Sequence, residues 1–225
     1  WIKNISLKRY RSGTDTSGDQ GSPIEALLTE GTTAGSDNQG FLLHDTTPIS
    51  NGVRMHGGEY ISVADSEVLD FVSDYTVEFW VKPKTATANT RLVTKGETGT
   101  GEWMISTGAS SDETKIRIYA KDDADNAKDF VSTNTIPTGS WTHIVVIFNI
   151  TNDSVDVYKN GGNLSQGTSA GWSSGFTSTK ELRIGVNSAG NGYYDGLIDE
   201  VRTYSRALST AEILKNYNNG KASHS

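Results

Sequence analysis

Acid–base, nucleophilic or metal chemistry in this chain has to come from 27 carboxylates, 4 histidines and the hydroxyls, because there are 0 cysteines. The missing thiols also remove Cys-ligated zinc and a disulfide framework. Retaining hydrolysis of a glycosidic bond needs two carboxylates about 5–5.5 Å apart. A strand presents such a pair only at even spacing, since successive side chains alternate between faces. No strand-like run here does so. In Asp199-Glu200 the neighbours point to opposite faces, and Asp122-Asp123-Ala124-Asp125 reads as a solvated loop without the glycine turn and distal Glu of a calcium loop. The histidines, at 44, 56, 143 and 224, form no His-x-x-x-His ligand spacing, and no Gly-x-Ser-x-Gly elbow is present. No catalytic residue is assigned, and the chain reads as a non-enzyme.

Stacking chemistry has more to work with. Binding a sugar requires a flat ring for C–H contact and a few planar hydrogen-bonding groups. Trp103 and Trp172 lie beside glycine-rich loops, Tyr193-Tyr194 follows Ala189-Gly190-Asn191-Gly192, and Trp80 is the one ring on an otherwise polar strand face. Arg117 and Tyr119 share a face opposite Ile116 and Ile118, while Glu181 and Arg183 oppose Leu182 and Ile184. These eight positions, Trp80, Trp103, Arg117, Tyr119, Trp172, Arg183, Tyr193 and Tyr194, are the candidate ligand contacts. Each has a plain alternative: loop-borne rings also fold back to plug the ends of a sheet, and polar strand faces are also ordinary solvated surface.

The elements that would position these residues are almost all strands. Runs rich in Val, Ile, Tyr, Phe, Trp and Thr fall at 24–30, 40–44, 52–56, 60–63, 75–83, 91–95, 103–107, 115–120, 141–149, 154–159, 181–186 and 196–204. Gly, Asn, Asp and Ser clusters separate them, and Asn160-Gly161 suits a type I′ hairpin. Short strands at this spacing predict an all-β sandwich or barrel. The stretch Trp141-Thr142-His143-Ile144-Val145-Val146-Ile147-Phe148 is apolar on both faces, which predicts a central strand covered on each side. One helix stands out. Leu208-Ser209-Thr210-Ala211-Glu212-Ile213 is a capping box with a hydrophobic staple, and Gly220 suits a stop, so a short helix should pack on the sandwich edge.

The segment Gly196-Leu197-Ile198-Asp199-Glu200-Val201-Arg202-Thr203-Tyr204-Ser205-Arg206-Ala207-Leu208-Ser209 resembles the closing signature of LamG-like (laminin G type 3, concanavalin A-like) jelly-roll domains. Three other pieces fit the same family in order: Met55 to Val63, Tyr75-Thr76-Val77-Glu78-Phe79-Trp80-Val81-Lys82-Pro83, and Trp141-Thr142-His143-Ile144-Val145 followed by Val157-Tyr158-Lys159-Asn160-Gly161. The resemblance runs over about 23–220. It implies a jelly-roll sandwich of two antiparallel sheets, one concave, and a structural Ca²⁺ held by Asp199 with backbone carbonyls near Gly57 and Gly58. The opening motif departs from the family, with Met55-His56-Gly57 where Phe-Asp-Gly is usual. The family's glycosidases carry paired carboxylates in a Glu-x-Asp-x-x-Glu run, which is absent here.

The chain's 225 residues bury a self-sufficient core, and no apolar run approaches the roughly 20 residues that cross a bilayer. With 20 basic and 27 acidic residues the net charge is −7, which argues against nucleic acid or an anionic membrane surface as partner. Residues 1–22 read as a strand and a Ser/Gly/Thr-rich linker, either the end of an upstream domain or an edge strand of the main one, and 23–225 as the sandwich. The start at Trp1 reads as a piece of something longer. The expectation is a non-catalytic carbohydrate-binding or adhesion module of a larger extracellular or surface-displayed protein, with a glycan as partner. A structural or protein-interaction domain is the alternative, and a glycan hydrolase or lyase the third reading.

Overall fold

The computed structural model describes residues 7–11, 52–168 and 171–224, so the strands expected at 24–30 and 40–44 lie outside the described residues. Among the described residues, thirteen strands form two antiparallel sheets. One carries, in spatial order, β1 (Leu7–Arg11), β3 (Glu59–Val63), β12 (Leu182–Ile184), β5 (Arg91–Lys95), β6 (Glu102–Thr107), β7 (Lys115–Lys121) and β8 (Ala127–Thr135). The other carries β11 (Asn163–Thr168), β10 (Ser154–Lys159), β9 (Thr142–Asn149), β4 (Tyr75–Pro83), β13 (Asp195–Tyr204) and β2 (Val53–His56). The N-terminal strand pairs with β3, Leu7 opposite Val63.

Alternation along each strand builds the core. Val77, Phe79 and Val81 of β4 and Ile144, Val146 and Phe148 of β9 face Trp103 and Ile105 of β6 and Ile116 and Ile118 of β7, all buried. Burying side chains of this size stabilises by roughly 1.5–3 kcal/mol each. The turn between β10 and β11 is the expected one. Asn160 and Gly161 both sit at positive φ, 51° and 79°, and Gly162 N–H donates to the Lys159 carbonyl at 3.2 Å.

In the second sheet the outer face is covered as well. The helix α1 (Thr210–Lys221) lies across it, so that Leu208 and Ile213 join Val145, Ile147, Tyr158 and Tyr204 in a second apolar cluster. That placement explains the doubly apolar β9. It also corrects two expectations: the helix covers a sheet face instead of an edge, and Gly220 lies inside it, with Ala222 as the C-cap. The capping box forms as the sequence suggested. Ser209 Oγ accepts from Glu212 N–H at 3.3 Å, and the Glu212 carboxylate accepts from Ser209 N–H at 2.9 Å. Arg206 adds two hydrogen bonds to the same carboxylate, at 2.9 and 2.6 Å.

A β-bulge in β13 sets what the covered face presents. Asp199 pairs with Trp80 and Arg202 with Glu78, so Glu200 and Val201 together oppose Phe79 alone, and Glu200 takes φ 48°. The extra residue lets Val201 point into the core while Asp199 and Arg202 both face the helix.

Candidate functional site

Four of the candidate rings belong to the protein interior. Trp103 is fully buried between the sheets, and Trp172 packs edge-on against Phe176 at 5.3 Å. Tyr194 is buried and donates its hydroxyl to the Leu197 carbonyl at 3.0 Å. Trp80 is 2 % exposed, parallel to His224 at 4.2 Å and to Tyr217 at 5.7 Å. These rings present no face to a ligand, which corrects the expectation for all four. The reason is the same in each case: a large flat ring is worth more as core than as surface.

The expected calcium ligands do not come together either. Asp195 pairs with His56 and Ile198 with Val53, so continuing the register places Gly52 opposite Asp199, and Gly57 lies five residues further along. At about 3.4 Å per residue that is roughly 17 Å. The Asp199 carboxylate is already engaged, accepting from Glu200 N–H at 2.8 Å and lying 3.1 Å from His224 Nε2. Gly57 instead donates its N–H to the Tyr194 carbonyl at 3.2 Å. Asp199, Gly57 and Gly58 do not fit a shared ion, and among the described residues no three His, Asp or Glu side chains converge as a metal-binding group.

Beneath the helix sits an arrangement that looks like catalytic machinery. The Glu78 carboxylate, fully buried, accepts from Tyr204 hydroxyl at 2.7 Å and Asn216 amide at 3.0 Å and lies 2.8 Å from His143 Nε2, with Arg202 at 3.8 Å. Burial alone would raise its pKa. The hydrogen bond and charge of His143, then Tyr204 and Arg202, outweigh burial and hold it below the usual carboxylate range. With no exposure at either Glu78 or His143, no substrate can reach this group. It joins the closing strand and helix to the sheet, and its role is structural.

The remaining four candidates assemble on the opposite side of the molecule. Arg183 pairs with Thr94 of β5, Thr94 with Met104 of β6, and Met104 with Tyr119 of β7. Directly opposed residues share a face, so Arg183 and Tyr119 flank a row across the outer surface of the seven-stranded sheet. Three strand spacings of about 4.8 Å set them roughly 14 Å apart. The next row carries Arg91, Ser106 and Arg117 in the same way. Tyr193 is carried by the loop after β12, whose Gly192 carbonyl accepts from Arg91 N–H at 2.8 Å. The face therefore gathers Arg117, Tyr119 and Arg183, with Tyr193 beside it, all half-buried around the buried Thr94, Met104 and Ser106.

Each guanidinium on this face is oriented and neutralised. Arg117 grips Asp129 with two bonds of 2.8 and 2.6 Å and reaches Asn89 Oδ1 at 3.3 Å. Arg91 pairs with Glu97 at 2.6 Å. Arg183 lies over the Tyr60 ring, 5.2 Å from its centroid, donates to the carbonyls of Asn187 and Ser188 at 3.0 Å each, and meets Glu181 at 3.2 Å. Tyr60, Arg91, Asn89 and Asp129 were not singled out in the sequence. Only the strand pairing brings them beside the candidates. Chemically the face offers planar donors and acceptors in equal measure and three tyrosine rings, Tyr60 beneath Arg183 together with Tyr119 and Tyr193, with little net charge. Such a surface suits a neutral ligand rich in hydroxyls.

The profile described as the concanavalin A-like lectin/glucanases superfamily (Laminin G 3) matches residues 56–214. No curated protein matches the sequence. Among solved structures the chain is similar to domain 4 of AbnA, a GH43 extracellular arabinanase from Geobacillus stearothermophilus, in complex with arabinotriose. The identity is 23 % and the TM-score 0.60, over 95 % of this chain and 98 % of that one. It is similar also to the binding domain of botulinum neurotoxin serotype G, at 16 % identity and TM-score 0.60, covering 97 % of this chain and 51 % of the toxin chain. A third is the botulinum neurotoxin serotype D ligand-binding domain in complex with N-acetylneuraminic acid, at 18 % and 0.56, covering 73 % and 40 %.

Proposed function

Since the chain belongs to the concanavalin A-like lectin/glucanases superfamily, we propose that it is a non-catalytic carbohydrate-binding or adhesion module, carried by a larger extracellular or surface-displayed protein. The observation that carries this reading is the outer face of the seven-stranded sheet. There Arg183 over Tyr60, Tyr119, and Arg117 with Asp129 stand in register as a charge-balanced planar surface. Arg183 and Arg117 donate to ring hydroxyls, their carboxylate partners accept, and Tyr119 and Tyr193 contribute flat apolar area. Two of the similar structures hold a saccharide, which supports the ligand class. The sealing of the Glu78–His143 pair under the helix supports a role without turnover.

Affinity electrophoresis of the purified chain through gels carrying plant and algal polysaccharides, with and without Ca²⁺, tests the proposal. Retardation by at least one polymer is expected, lost in Arg183→Ala and in Tyr119→Ala, with no new reducing ends released. Uniform migration in every gel would refute it. A second reading, a scaffold or protein-interaction domain, is favoured by one observation: Trp80, Trp103 and Trp172 are all buried, so the face offers tyrosines and no tryptophan platform.

A further inference from the structure

Among the described residues, Trp80, Trp103 and Trp172 are buried and Trp141 is not. Trp141 stands at the head of β9, on the outer face of the six-stranded sheet, just past the end of α1. Its indole is held on two sides. His224 meets it edge to face, with centroids 4.7 Å apart and planes at 83°. Towards β2 the ring rests against Gly52, whose φ of 106° suits glycine alone and where a β carbon would sit 2.8 Å from Trp141 Cη2. The ring is therefore seated before any ligand arrives, with part of its surface left to solvent.

The neighbours of this ring are cations. Arg54 pairs with Leu197 of β13, Leu197 pairs with Lys82 of β4, and continuing the register of Val81 with Thr142 sets Lys82 opposite Trp141. Directly opposed residues share a face, so these four form one row of three strand spacings, about 14 Å across. Asp195 begins the next row, 3.3 Å from Lys84 and 3.6 Å from Arg54. It offsets one of the three cations and leaves an excess of two, in a chain whose net charge is −7. Lys82 is half-buried and has no carboxylate partner among the described residues. Exposed charge alone binds little, because water and salt screen it. A fixed aromatic ring beside the charges adds a desolvated contact and a defined orientation.

We propose that Trp141 with Lys82, Lys84 and Arg54 forms a second binding site, for a sugar unit that carries a carboxylate or sulfate group. The inference rests on the carbohydrate reading above for its ligand class, and adds a site on the other sheet with a different preference. The sugar lies on Trp141 by its C–H face, while Lys82 and Arg54 donate to the anionic substituent. The charge-balanced face of Arg183 and Tyr119 suits a neutral chain; this one selects an acidic chain.

The test is affinity electrophoresis of the full chain against polygalacturonate and its methyl ester, and against dextran sulfate and dextran, with calorimetry on trigalacturonate. Each polymer pair shares a backbone and differs in charge. Retardation by the charged member of at least one pair is expected, well beyond that by its uncharged partner, and it should weaken as salt rises from about 0.05 to about 0.5 M. Trp141→Ala should lower that affinity about fivefold or more, the worth of one stacked ring. Lys82→Glu, a surface change whose melting curve should match wild type, should lower it at least as far, while Arg183→Ala and Tyr119→Ala should leave it unchanged. Equal retardation by both members of each pair, acidic-polymer binding that Trp141→Ala or Lys82→Glu leaves untouched, or a tighter hold on an oligothymidylate than on trigalacturonate would each overturn the proposal. Neutral polymers held through Arg183 and Tyr119 while acidic ones pass freely would leave the other face standing without this site. Acidic polymers held through Trp141 and Lys82 while neutral ones pass freely would do the reverse.

Discussion

Replacing Glu78 by alanine tests whether the buried cluster is a clasp. The substitution removes one acceptor and strands three neighbours: Tyr204 hydroxyl at 2.7 Å, His143 Nε2 at 2.8 Å and the Asn216 amide at 3.0 Å. Each unsatisfied buried group costs about 1–3 kcal/mol, and such costs do not add in full when the groups share a network. Breaking one side of a buried charged pair typically costs 3–5 kcal/mol, so about 4 kcal/mol is expected. Against a total stability of about 5–15 kcal/mol that is a large fraction. With a urea m-value near 2.5 kcal/mol/M, the midpoint should fall by about 1.6 M at unchanged m. Tryptophan fluorescence follows the transition, since Trp80 lies against this network through His143 at 5.0 Å. Glu78→Gln keeps an acceptor for Tyr204 and Asn216 and offers an amide to His143, so its loss should be only about 1–2 kcal/mol. Polysaccharide retardation should be intact in Glu78→Gln. An alanine variant within 0.5 kcal/mol of wild type, or a glutamine variant as damaged as the alanine one, would refute the reasoning.

Further outcomes follow from other contacts. Lys95, fully buried, holds Asp65 at 2.9 Å, Asp70 at 2.5 Å and the Ser178 carbonyl, so Lys95→Met should cost about 3 kcal/mol and lower the melting temperature by roughly 6–12 °C in calorimetry; an unchanged melt would mean the ammonium is dispensable. Glu212 is held at a pKa of about 2, chiefly by Arg206 and then by Ser209, against an ordinary value of 4.5. Its stabilisation is therefore complete above about pH 4.5 and fades as pH falls towards 2, in the same direction as the lowered Glu78 carboxyl. Acid titration of fluorescence should show the helix loosening in that window, and Glu212→Gln should remove part of the pH dependence; an identical profile would count against the capping assignment. At Gly220 an alanine gains about 1 kcal/mol of helix propensity, but its Cβ would sit 2.7 Å from Trp80 Nε1, where stacking on His224 and Tyr217 prevents retreat. Overpacking of about 1–3 kcal/mol should win, leaving Gly220→Ala less stable in urea than wild type.

What the sequence revealed depended on whether the governing contact was local. Period-two patterning placed Trp80 on the face opposite Val77 and Phe79, and the capping box placed the helix start at Ser209. Neither pattern carries the fact that the helix, some 130 residues later, lies over that tryptophan. The β8 and β11 strands escaped notice because little apolar periodicity marks them. Ala127–Thr135 alternates between exposed and half-buried positions at the end of its sheet, and Leu164, the one aliphatic side chain of β11, points to solvent at 47 % exposure. Their backbone pairing holds them instead. The supposed union of Asp199 with Gly57 failed on register, which a hairpin turn reveals in sequence and a long-range pairing does not. Arg183, Tyr119 and Arg117 were legible singly as polar residues on amphipathic strands. Their meeting with Tyr60 required the order β3, β12, β5, β6, β7, and no stretch of sequence spells that out.

The position of β13 has a consequence for how the chain matures. Among the described residues it is the last strand in the sequence, yet it lies between β4 and β2, hydrogen-bonded to both. During synthesis at about 5–20 residues per second, the backbone edge of β4 stays open until β13 has been made, more than 100 residues after β4. A nascent chain can hold the hairpins β5–β6–β7 and β9–β10 early, but the second sheet closes as one late, long-range event. Folding should therefore be slow, and a stall before residue 195 should expose a sticky edge for chaperones to shield.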